Sequence, residues 1–84
     1  MDGMELRRHV RSMHELVGRG ERDPERRADA DAAFRDHYRQ LREEWDDLPA
    51  ETAREVRDAF LALVGDDDWT TSRRRLERAM DRLG

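Results

Sequence analysis

Residues 34–48 read FRDHYRQLREEWDDL, and the spacing of their apolar members decides the fold class. Phe34, Tyr38, Leu41, Trp45 and Leu48 recur at steps of four, three, four and three. That is the seam of a helix lying lengthwise against other helices. Charged side chains fill most of the intervening positions, so one face is buried and the rest is solvated. The window holds three of the chain's five aromatic residues, which makes it the natural centre of a core.

Working back from this stretch, Ala28, Ala30, Ala32 and Ala33 lie one to two turns earlier, where small side chains permit close approach of a neighbour. Trp45 is expected to wedge the neighbour apart at the other end. Asp23-Pro24 supplies a capping oxygen followed by a proline suited to the first helical position. The predicted second helix therefore runs over 24–46 and is the longest. Opposite charges four apart (Arg27–Asp31, Asp31–Arg35, Arg39–Glu43, Arg42–Asp46) are expected to pair along its solvated face. Before it, Leu6, Val10, Met13 and Val17 mark a first helix over 4–17, with Gly18 and Gly20 read as its stop.

Beyond the seam, Leu48-Pro49 breaks the helix, since proline disfavours an α conformation in its predecessor. Ala53, Val56, Phe60 and Leu63 define a third helix over 49–64, with Leu61 and Val64 as a second apolar edge and Gly65 as its end. Trp69, Leu76, Met80 and Leu83 define a fourth over 69–83, capped by Asp68 or Thr70. No stretch alternates with period two over a useful length, so no strand is predicted. The expected fold is all-α: a single domain over 1–84 built as a small bundle of four helices.

Composition narrows the class of object. Leu, Val and Phe total 14 of 84 residues and Ile is absent, so the core is thin. The formal net charge is only −4 because 17 arginines nearly offset 21 acidic residues, and the apolar residues are periodic, which argues for folding over disorder. With no cysteine there is no disulfide to reinforce so small a domain. A second copy or a protein partner is the economical support. Every basic residue is arginine, and Lys, Ile and Asn, whose codons are A/T-rich, are missing, as expected of a high-GC genome. The charged first residues resemble neither a secretory signal nor a membrane span, so a cytoplasmic location is expected.

The residues offer little chemistry. His9 and His14 are five apart and point in different directions from one helix; Glu5 and His9 share a face, but no Glu-x-x-His pair accompanies them. His37 borders the buried side of its helix beside Tyr38. Asp66-Asp67-Asp68 begins like a calcium loop and places Glu77 at the twelfth position, yet has Thr71 where the glycine belongs. There is no glycine-rich phosphate loop, and no pair of carboxylates lies among apolar residues. No catalytic residue, cofactor or metal is expected. The arginines Arg74, Arg78 and Arg82 recur at spacing four, and such a stripe suits a phosphate backbone. The acidic whole and the absence of a basic tail oppose that use. The reading is thus a non-catalytic interaction, oligomerisation or regulatory module, as a homodimer or with a protein partner. Its candidate contact residues are Phe34, Tyr38, Leu41, Trp45 and Leu61. A nucleic-acid-associated regulator using the fourth-helix arginines is the alternative.

Overall fold

The first stripe is buried as its spacing requires: Leu6 is nearly inaccessible, and Val10, Met13 and Val17 fully so, in the computed structural model, which describes residues 3–83. Residues 1, 2 and 84, the ends of the expected domain, lie outside the described residues. Four α-helices follow one another: α1 (Gly3–Arg22), α2 (Arg27–Glu43), α3 (Ala50–Asp66) and α4 (Trp69–Leu83). There is no strand among the described residues. Short 3-10 turns, Pro24–Arg26 and Trp45–Asp47, lead into α2 and out of it.

Helix α1 packs directly against α2 and α4, and α4 against α3, so the order around the bundle is α2, α1, α4, α3. Small residues explain the α3–α4 approach: Ala59 and Ser72 are fully buried, and Ser72 Oγ donates to the Ala59 carbonyl at 2.8 Å. The α2 and α3 backbones come less close, and aromatic rings span the gap between them. A Cα radius of gyration of 11.6 Å matches the roughly 12 Å expected of a closed domain this long. The chain therefore encloses a core of its own.

The boundaries depart from the sequence reading in three places. Gly18 and Gly20 do not stop α1, which continues to Arg22 with both glycines buried. A Cβ on Gly20 would lie 2.2 Å from Trp69 Cζ3, so this glycine exists to seat an indole. The Gly20 carbonyl accepts from Arg27 Nε at 2.8 Å, and the Arg27 guanidinium lies over the Trp69 ring at 5.4 Å. Trp69 thus ties the end of α1, the start of α2 and the start of α4 together.

The expected 24–46 helix is shorter at both ends. Asp23 Oδ1 does accept from the Glu25 amide at 3.1 Å, but the turn it caps is 3-10. At the far end Leu48 N donates to Trp45 O at 3.1 Å, so the last step of three in the apolar pattern is one 3-10 turn and not α-helix. The pattern could not distinguish them, because both keep Trp45 and Leu48 on one side. At 17 residues α2 equals α3, and α1, with 20, is the longest helix. Of the four expected charge pairs only Asp31–Arg35 forms, at 3.0 Å. Arg39 turns to Asp36, Arg42 lies over the Trp45 ring at 5.1 Å, and Arg27 serves Gly20 and Trp69.

Gly65 does not end α3 either. The left-handed residue is Asp67 (φ 52°), whose amide donates to Leu63 O at 3.1 Å. Its carboxylate accepts from Trp69 Nε1 at 2.8 Å, a local bond that favours an aspartate in this unfavourable region. Asp68 caps α4, Oδ1 accepting from the Thr71 amide at 3.0 Å and Oδ2 from the Thr71 hydroxyl at 2.7 Å. These bonds hold the Asp68 carboxyl below the usual range.

Candidate interaction surface

The gap between α2 and α3 is closed by rings. Phe60 from α3 stacks on Tyr38 of α2 with centroids 3.9 Å apart and planes within 12°, and faces Phe34 at 6.2 Å. Tyr38 in turn meets the edge of Trp45 at 5.7 Å. The Phe34–Phe60 and Tyr38–Trp45 pairs have the separations that aromatic quadrupoles favour, whereas Tyr38 and Phe60 stack closer and more nearly face to face. Partial burial raises the Tyr38 phenol above its ordinary pKa, with Arg42 and Arg57 opposing.

The five candidate contact residues divide accordingly. Phe34 and Leu41 have no exposed surface and belong to the core, so neither can meet a partner in this fold. Tyr38 and Trp45 are half-buried, their rings spent largely on Phe60 and on each other. Leu61 is different. It is 55% exposed, on the opposite side of α3 from the buried Val56, Ala59 and Leu63. Arg57 lies one turn before it and Gly65 one turn after, with open space where a Gly65 side chain would be, and Asp66 follows, exposed. Close by, Trp45, Leu48, Ala53, Arg54 and Arg57 line an open cleft of about 390 Å³.

The arginines of α4 are also divided. Arg82 pairs with Glu51 and lies 3.9 Å from Glu55, which is nearly buried and receives Arg75 at 3.4 Å. Arg73 donates to Glu21 at 2.9 Å and to Glu77. Glu77 also receives His14 Nε2 at 3.2 Å, and that bond, followed by Arg73, keeps its carboxyl below the ordinary value against partial burial. Arg74 and Arg78 are exposed and enter no ion pair among the described residues. Of the expected stripe, then, Arg82 is engaged within the fold and two cations remain.

One constellation escaped the sequence reading. His9 of α1 and His37 of α2 meet, Nδ1 to Nδ1, at 2.9 Å. Burial first, and then His9, hold His37 below the ordinary histidine pKa, with Asp36 opposing. The pair is 28 residues apart and depends on the register of the α1–α2 hairpin, which Arg27 sets by bonding to Gly20 O. The available signal was that each histidine directly precedes a member of an apolar stripe, Val10 or Tyr38. No protein-family model, curated protein or solved structure matches the chain. No helix among the described residues is long and apolar enough to cross a membrane.

Proposed function

We propose that the chain is a non-catalytic helical interaction module that pairs with a second copy of itself through the outer face of α3. The observation that carries this reading is Leu61, the large apolar side chain left 55% exposed by a helix whose other face is well buried. The patch can meet itself. Set antiparallel about Leu61, two α3 helices place the leucines against each other and Arg57 of each opposite the open Gly65 region of the other. A two-fold interface requires just this reciprocity of one patch with itself. The half-buried Tyr38, Phe60 and Trp45 would support the rim and lose little freedom on pairing.

Charge placement tests the arrangement. Gly65→Arg should weaken association in light scattering, because it sets a cation against Arg57 of the other copy, and Gly65→Arg with Arg57→Glu should restore it. Double-variant protein that associates no better than Gly65→Arg contradicts the pairing. A second reading rests on Arg74 and Arg78, the two α4 cations without ion pairs. If they grip nucleic acid, duplex binding should fall with salt at a slope of about −0.9 per phosphate engaged and be lost in Arg74→Glu with Arg78→Glu.

A further inference from the structure

We propose that His9 and His37 form a binding site for a divalent transition ion of the copper, nickel or zinc group, with the two Nδ1 atoms as adjacent ligands. The atoms lie 2.9 Å apart across the α1–α2 interface, and the rings are 5.2 Å apart at 63°. Imidazole nitrogen binds such ions at about 2.0–2.1 Å, so two ligands at right angles stand about 2.9 Å apart and two at the tetrahedral angle about 3.3 Å. The 2.9 Å between nitrogens is the right-angled edge of tetragonal Cu(II) or Ni(II), but the centroids stand 5.2 Å apart, so the nitrogens face each other along the line of centres. Each ring therefore turns by about 35–45° to aim its lone pair at a shared ion, and for Zn(II) the nitrogens also open by a few tenths of an ångström.

The surroundings suit a cation. The histidines line a cleft of about 390 Å³ together with Glu5, Glu43 and Glu44, and Arg8 is the cation that opposes them there. Among the described residues no three His, Cys, Asp or Glu side chains already converge as a ligand set. The protein therefore supplies two nitrogens, and water fills the remaining positions. At present one neutral imidazole donates its Nδ1 proton to the other's lone pair. On binding, that proton moves to Nε2 of the same ring, both Nδ1 lone pairs face the ion, and the neutral pair releases no proton.

The test is calorimetric titration of the untagged full chain at pH 7.5 with CuCl2, NiCl2 and ZnCl2, beside His9→Gln, His37→Gln and a His14→Gln control. Expected is one ion per chain, copper tightest. Each of the first two variants should weaken binding at least as much as loss of a ligand's hydrogen-bonded support does, about 10- to 100-fold, with the control unchanged. Electron paramagnetic resonance of the Cu(II) complex should show two nitrogen ligands, a readout that does not depend on how the variants fold. Absence of saturable binding, affinity unchanged in both His9→Gln and His37→Gln, or a copper spectrum without two nitrogens overturns the proposal. The site lies within one copy, so Leu61→Glu should leave it intact, and failure of either proposal is distinguishable from failure of the other.

Discussion

Replacing Gly20 by alanine should destabilise the protein although alanine is the better helix former. The new Cβ would lie 2.2, 2.6 and 2.8 Å from Trp69 Cζ3, Cε3 and Cη2. Carbon atoms in contact prefer about 3.5–4.0 Å, so the ring must retreat by more than about 1 Å. It has little room to do so. Trp69 is only 5% exposed, its Nε1 is held by Asp67 at 2.8 Å, and Arg27 covers its face. Overpacking of this kind costs about 1–3 kcal/mol, and so direct a clash belongs at the upper end. Helix propensity returns about 1 kcal/mol. The net loss is about 2 kcal/mol, or roughly 8–16 °C in melting temperature for a domain of this size. Gly18 is the internal control. Its added Cβ would meet only Arg22 Nη1, at 3.3 Å, the movable end of a flexible side chain. Gly18→Ala should therefore be neutral or stabilising by up to about 1 kcal/mol. Thermal and urea unfolding followed by tryptophan fluorescence decides the matter. A Gly20→Ala protein as stable as the parent, or a loss equal to that of Gly18→Ala, would refute the seating of Trp69 on Gly20.

Thr52 is fully buried and its hydroxyl has no hydrogen-bond partner among the described residues, so the isosteric Thr52→Val should raise stability by about 1 kcal/mol; a comparable loss in urea unfolding would show that the hydroxyl is bonded. A double-mutant cycle on Tyr38→Leu and Phe60→Leu should give a coupling of about 0.5–1.5 kcal/mol, and additive losses would mean the 3.9 Å stack contributes nothing beyond its buried area. Stability should also fall on acidification in two windows. His37 has a lowered pKa in the folded state, so the unfolded chain takes up the proton first. Its contribution is complete above about pH 6.5 and is lost as pH falls through the lower folded value, beside His9, Glu5, Arg8, Glu43 and Glu44, which share its cleft. Glu77, also lowered, adds a second loss only below about pH 4.3. Urea midpoints measured from pH 7.5 to 4 should show the first decline in the parent and not in His37→Gln.

The fold class was legible because burial imposes a period. Every member of the Leu6–Val17 stripe, Phe34 and Leu41 of the seam, and Trp69 and Leu76 of α4 are buried as their spacing requires. Helix ends were less legible because the same residue types serve different purposes. Gly20 has the sequence signature of a stop but accommodates an indole, and Asp67 takes the left-handed position that Gly65 was expected to fill. Periodicity likewise cannot say which part of a wide apolar stripe meets the chain's own helices. Phe34 and Leu41 are core, whereas Leu61, on the second edge of α3, is exposed. The His9–His37 contact needed the hairpin register, which one helix at a time does not contain.

The reading of this protein as a self-pairing module stands on Leu61, and the direct measurement is mass in solution. Sedimentation equilibrium should give the parent chain about twice 10.0 kDa, and Leu61→Glu 10.0 kDa with its helical circular dichroism unchanged. A parent chain that remains at 10.0 kDa at the highest attainable concentration, or a Leu61→Glu chain of undiminished mass, would contradict it.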